Sequence, residues 1–190
     1  MRYVIVVDMQ NDFVTGPLGN DETRAVASNI CAKLEEYRND STGLIFTLDS
    51  HHPDYLMTME GSKLPVPHCI VGTEGWDIVP ELNSYSTDSG YFHPYIPTLS
   101  DNYGFVFKET FGSLNLINLL FALEEQEGEI DEIVFMGVCT DICVVSNCLG
   151  VKAAFPNVPI KVIANCCAGV TPESHEAALT VMRSCHIDVV

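Results

Sequence analysis

Several polar residues stand immediately after short apolar runs, and their types form a reactive set. Asp8 follows the run at 3–7, Asp49 with His51 follows 44–48, Lys108 follows 104–107, and Cys139-Thr140-Asp141-Ile142-Cys143 follows 133–136. A carboxylate, a lysine and a cysteine brought to one rim can perform covalent catalysis with an acid/base partner. Cys143 falls in the first turn of an expected helix, where unpaired backbone N–H groups and the positive dipole end stabilise a thiolate and can hold an oxyanion. A free thiol titrates near pH ~8.5, so the helix end, Lys108 and a proton-accepting Asp8 are all needed to supply nucleophile near neutrality. The plainer alternative is a buried cysteine, a strand-end cap and a solvated lysine, because any sheet with helices on both faces places polar residues at these points.

A second set begins at Asp49. In an extended chain, residues two apart point the same way, so the Asp49 carboxylate and His51 imidazole can share one ion while His52 faces away. Glu60 and His68 would complete a nitrogen and oxygen ligand set, with water in the open positions. Imidazole mixed with carboxylate suits zinc, iron or manganese and does not choose among them. The alternative is a pair of unrelated surface histidines beside a capping aspartate. His93, His175 and His186 fit surface or satisfied positions better than ligand positions.

These residues need a scaffold that carries them to one edge. The runs 3–7, 44–48, 133–136 and 160–163 are apolar nearly throughout, as strands covered on both faces are; 104–107 is a weaker fifth and 188–190 a candidate last strand. Between them lie helical stretches. The clearest is 21–39, with Val26, Ile30, Leu34 and Tyr37 on one face; 114–125, 141–154 and 172–184 follow, the last opened by Thr171 as N-cap and Pro172 in the first turn. This alternation predicts an α/β fold: a doubly wound, mostly parallel sheet of about six strands with helices on both faces. Ligands bind such sheets beyond the carboxyl ends of the strands, where the reactive residues stand. The exception to the alternation is 49–103, rich in Pro, Gly, Ser, Asp and His and without a sustained period. Loops of that length in a compact domain are usually functional.

Composition narrows the partners. With 190 residues, 47% of them hydrophobic, the chain can bury one sizeable core, so a single domain over 1–190 is expected. A net charge of −17 opposes phosphate backbones and anionic lipid, leaving small neutral molecules, cations and metals. No apolar run approaches the roughly 20 residues of a membrane span, and 3–7 is too short for a signal-peptide core, so a cytoplasmic protein is expected. The eight cysteines include no C-x-x-C pair, and most read as small buried hydrophobes. The sequon Asn39-Asp40-Ser41 is then a chance match. The acidic balance and long loop are compatible with a monomer or a homo-oligomer.

Four segments in register carry a resemblance: Val6-Val7-Asp8-Met9-Gln10-Asn11-Asp12-Phe13, Thr47-Leu48-Asp49-Ser50-His51, Pro67-His68-Cys69-Ile70-Val71-Gly72-Thr73 and Gly137-Val138-Cys139-Thr140-Asp141-Ile142-Cys143-Val144. Together they resemble the cysteine hydrolases of the isochorismatase-like superfamily, and within it the nicotinamidases. The resemblance implies hydrolysis of nicotinamide to nicotinate and ammonia, in the service of NAD salvage. It assigns Asp8, Lys108 and Cys143 to the catalytic triad, and Asp49, His51 and His68 to the metal ligands. Glu60 matches the fourth ligand of one branch only, other nicotinamidases having histidine there. The expected cofactor is one divalent metal ion, zinc ahead of iron or manganese. A cis peptide between Val138 and Cys139 is implied as well, turning the Cys139 and Cys143 N–H groups toward one oxyanion. Many relatives carry an aromatic residue where this chain has Ser50, so the ring wall is expected to be built differently, with Phe13 as first candidate and Phe111 and Trp76 after it. The rival readings are a ureidoacrylate or N-carbamoyl amide hydrolase, an isochorismatase-type enzyme acting without metal, and a non-catalytic relative.

Overall fold

The computed structural model describes residues 1–37, 42–86, 98–100 and 103–190. In chain order the elements are β1 (Arg2–Val7), α1 (Asn11–Val14), α2 (Asp21–Tyr37), β2 (Thr42–Asp49), α3 (Met59–Lys63), α4 (Asn83–Ser86), β3 (Thr98–Ser100), β4 (Tyr103–Lys108), α5 (Leu114–Glu127), β5 (Glu132–Val138), α6 (Val145–Ala154), β6 (Ile160–Ala168), α7 (Pro172–Ser184) and β7 (Asp188–Val189). The strands form one sheet in the order β3-β4-β2-β1-β5-β6-β7. Neighbours pair in parallel, except that β3 runs antiparallel to β4. Six parallel strands match the expected architecture. The short antiparallel β3 was hidden in the aperiodic segment 49–103, where three residues are too few to show a period.

Within β1, Val4 through Val7 are 0% exposed. Successive strand residues point to opposite faces, so both faces of this strand are covered. Burial of such a side chain contributes roughly 1.5–3 kcal/mol, which makes the central strands the stable heart of the molecule. Val26, Ile30 and Leu34 of α2 are buried as their spacing predicts, and Tyr37 packs at the edge of the same core. Residues 38 and 39 of the expected helix lie outside the described residues, as do the sequon Asn39-Asp40-Ser41 and His93. At the amino ends of the central strands, Glu132 of β5 joins Arg2 of β1 and Lys161 of β6. Among the described residues no helix is long and apolar enough to cross a membrane.

The chain leaves β1 in one direction to build β2 and β4 and in the other to build β5, β6 and β7. Strand order therefore reverses at β1, and the crevice at its carboxyl end is where a sheet of this kind binds ligands. Gly137 in β5 serves that crevice. Its φ is +122°, and a Cβ there would lie 2.2 Å from the Val7 carbonyl oxygen, so only glycine lets β5 approach β1 this closely.

Candidate active site

Four adjacent strands, β4, β2, β1 and β5, deliver the reactive groups. Lys108 ends β4 and Asp49 ends β2, paired across the ladder. Asp8 is the first residue beyond β1; its φ of +49° lies in the left-handed region, which aspartate tolerates better than most residues. Beyond β5 the Val138–Cys139 peptide is cis. The chain then makes a π-turn over Thr140–Val144, in which the Val144 N–H donates to the Cys139 carbonyl at 3.0 Å, before α6 begins. Cys143 thus sits in a π-turn, a feature that recurs at functional sites, and not in the first α-helical turn that the sequence suggested.

Lys108 is the hub. Its Nζ lies 2.7 Å from Asp8 Oδ2, 3.2 Å from Asp49 Oδ1 and 3.5 Å from Cys143 Sγ. All four side chains are buried. Burial pushes the Asp8 carboxyl above the usual carboxylate range, against the pull of Lys108. Burial opposes the Lys108 charge, yet Asp8, Cys143 and Asp49 outweigh it and hold this ammonium protonated well beyond the ordinary lysine range. Burial also pushes the Cys143 thiol well above its ordinary value, with Lys108 opposing and the two carboxylates reinforcing. These surroundings favour the neutral thiol over the thiolate, so the helix end and Lys108 do not suffice without the proton-accepting Asp8 that the sequence also pointed to. Desolvation by burial is the largest of these influences and outweighs Lys108.

The second set shares Asp49. Its Oδ2 lies 3.0 Å from His51 Nε2 and 3.3 Å from His68 Nε2, while Glu60 Oε1 stands 3.6 and 3.8 Å from the same two nitrogens. Burial pushes the Asp49 carboxyl up, but Lys108, His51 and His68 outweigh it and hold it well below the usual range. The described residues fit a divalent cation. The donor atoms of Asp49, His51 and His68 lie within 4.8 Å of one another. His51 Nε2 is buried and makes no hydrogen bond although it lies 3.0 Å from Asp49 Oδ2, an orphaned buried polar atom that a metal ion would satisfy. His68 Nδ1 lies 2.8 Å from the Val66 carbonyl, which leaves Nε2 free to act as a ligand.

The aromatic candidates separate in space. Phe13 meets His68 edge-on, with ring centroids 5.4 Å apart. Phe111 lines a cleft of about 660 Å³ together with His51, Tyr55, Glu60, Glu109 and Ile142. Trp76 stays away from this cleft wall: its indole N–H donates to Ser50 Oγ at 2.9 Å and its ring stacks on Phe107. The position at Ser50 is thus backed by an aromatic from elsewhere in the chain.

Three residues with a part in the site carried no assigned role in the sequence. Thr47 Oγ1 donates to Asp8 Oδ1 at 2.6 Å, and a threonine inside an apolar strand run was a usable signal. Asn147 joins Cys143 to the loop between β4 and α5, donating to the Cys143 and Phe111 carbonyls and accepting from Ser113 N–H. Gln10 binds the Asp49 backbone. The partners of Gln10, and those of Asn147 in the loop, are backbone groups distant in sequence, which no local pattern displays.

The isochorismatase domain model matches residues 2–190 of this chain. The nicotinamidase/pyrazinamidase of Mycobacterium tuberculosis (strain ATCC 25618 / H37Rv) is 30% identical over 200 residues, covering 100% of this chain and 98% of that protein. The structure of a pyrazinamidase/nicotinamidase from Streptococcus mutans UA159 superposes with a TM-score of 0.80 at 21% identity, covering 100% of both chains. The pyrazinamidase of Pyrococcus horikoshii in complex with zinc gives a TM-score of 0.76 at 20% identity, over 100% of this chain and 98% of that one. At those identities the two structures establish the fold.

Proposed function

The chain belongs to the isochorismatase domain family, and on that premise we propose that it is a nicotinamidase, a single-domain amidohydrolase converting nicotinamide and water to nicotinate and ammonia. The observation that carries this reading is the Lys108 ammonium within 3.5 Å of Asp8, Asp49 and Cys143, so that one cation spans a base, a nucleophile and a metal-facing carboxylate.

In the first half-reaction the Cys143 sulfur attacks the carboxamide carbon as its proton passes to Asp8 Oδ2. The tetrahedral oxyanion is held by the Cys139 and Cys143 N–H groups. Asp8 hands its proton to the departing nitrogen, the C–N bond breaks, and ammonia leaves a Cys143 thioester. In the second half Asp8 takes a proton from water, whose oxygen attacks the thioester carbon. The C–S bond breaks, the proton on Asp8 returns to sulfur, and the product leaves as nicotinate, giving the remaining carboxyl proton to solvent or to ammonia. Lys108 stays charged throughout and offsets the negative charge that moves between Asp8 and Cys143.

Asp49, His51 and His68 would hold the metal, with Glu60 as fourth protein ligand. When bound, the metal, proposed as zinc ahead of iron or manganese, supplies a Lewis-acid position for the pyridine nitrogen. Phe13 and Phe111 are proposed as ring contacts, whereas Trp76 acts behind Ser50. The test is ammonia release from nicotinamide before and after chelation, with metal analysis of the same sample. Turnover that is lost on chelation and returns with added metal is expected. A metal-loaded protein that leaves nicotinamide intact would overturn the substrate assignment.

A further inference from the structure

We propose that Gln10 is a positioning residue for the metal ligands, acting with Asp12 through the backbone that carries them; this rests on the divalent-metal reading of Asp49, His51 and His68.

Gln10 is 0% exposed, and its whole carboxamide is spent on main-chain groups. Its Oε1 accepts from the Asp49 N–H at 2.7 Å, and its Nε2 donates to the Asp49 carbonyl at 2.9 Å and to the Trp76 carbonyl at 2.8 Å. Asp49 is the last residue of β2. The clamp fixes its peptide planes, and with them the direction in which its carboxylate leaves the chain, one oxygen toward Lys108 and the other toward the two imidazoles. A residue that merely filled this space would be apolar; a buried amide satisfied at three points instead fixes an orientation.

Two residues further on, Asp12 Oδ2 accepts from the Cys69 N–H at 2.7 Å. Cys69 directly follows His68, and its φ of +47° is one few side chains adopt unless held. The Cys69 carbonyl in turn accepts from the His51 N–H at 2.9 Å, and the His51 carbonyl from the Val71 N–H at 2.9 Å. Space for the Asp12 carboxylate exists only because position 75 is glycine, where a Cβ would lie 2.2 Å from Asp12 Oδ2. All three ligands therefore hang on a backbone frame whose two tie points are side chains of the segment after β1.

Outer-shell partners of this kind are worth about 10- to 100-fold in metal affinity. The experiment replaces Gln10 by Met, of similar length but without the hydrogen bonds, and by Glu, which keeps the acceptor for Asp49 N–H and loses both donors. Zinc affinity is measured by competition with a chromogenic chelator, and ligand geometry by the visible spectrum of the cobalt(II) form. Gln10→Met should lose about ten-fold or more in affinity with an altered cobalt spectrum, and Gln10→Glu should fall between it and the parent. If Gln10→Met does not fold, Gln10→Glu carries the same measurement. Parent affinity and an unchanged spectrum in the folded variants would overturn the proposal. Asp49→Asn is measured alongside: parent affinity there sinks the metal reading itself, whereas loss there with no change at Gln10 sinks only the positioning role.

Discussion

Among the individual residues, Lys108 bears most on the proposal that a buried cysteine serves as nucleophile. Its surroundings favour the neutral thiol, so activation on this proposal is a transfer to Asp8 within a site whose charge Lys108 balances. Cys143→Ala removes the atom proposed to form the thioester, and nicotinamide hydrolysis should fall by about 10⁴-fold or more while metal content stays at the parent level. Substantial residual turnover would refute the nucleophile. Thr47 tests the base. Its hydroxyl donates to Asp8 and favours the charged carboxylate, partly opposing the burial that raises it. In Thr47→Val that support is gone, the Asp8 value rises further, and the acid limb of kcat/KM moves to higher pH; an unmoved limb would show that another group limits the reaction. Asp8, Asp49, Lys108 and Cys143 were visible in the sequence because each ends or follows an apolar run. Gln10 was present in a motif, but its role lies in a contact with a peptide 39 residues away, which only the folded chain reveals.

For the elements, alternation of strand and helix was legible because helix and strand have different periods and most strands here are apolar nearly throughout. The bounds were not. β6 continues past residue 163 to Ala168, through the more polar Asn165 and an irregularity in its pairing with β5. The π-turn before α6 has no pattern distinguishable from an α-helical start. Strand adjacency, once known, makes a prediction at this scale. Glu132 ties β5 to β1 and β6, and although burial raises its carboxyl, Lys161 and Arg2 outweigh burial and lower it. A carboxyl lowered on folding stabilises above its unfolded value, and that stabilisation is lost as the pH falls through the folded value. Glu132→Gln should therefore cost up to about 1 kcal/mol at pH 7 in urea unfolding, with the difference fading below about pH 4. A cost that persists in acid would show that packing, and not charge, is what the substitution disturbs.

For the molecule as a whole, a net charge of −17 means that the folded chain gathers negative charge it would otherwise spread, and the proposed metal site brings Asp49 and Glu60 together around the same two imidazoles. A divalent ion bound only by the folded form stabilises it by about 2.7 kcal/mol when present at 100 times its Kd. Thermal unfolding should therefore shift downward on chelation and recover stepwise with zinc; a midpoint indifferent to zinc would contradict the ligand set. The order of the strands was the least legible feature, because nothing local to the run at 3–7 says that it will be central. That order also sets a timetable for the ribosome. β1 is made early yet finds its second neighbour, β5, only 130 residues later, from Arg2 to Glu132. At about 5–20 residues per second, an apolar strand spends on the order of ten seconds with one edge unclaimed. In a newly made chain the apolar edge of β1 therefore waits uncovered until β5 emerges, and since Cys143 follows β5, no chain too short to cover that edge carries the proposed nucleophile.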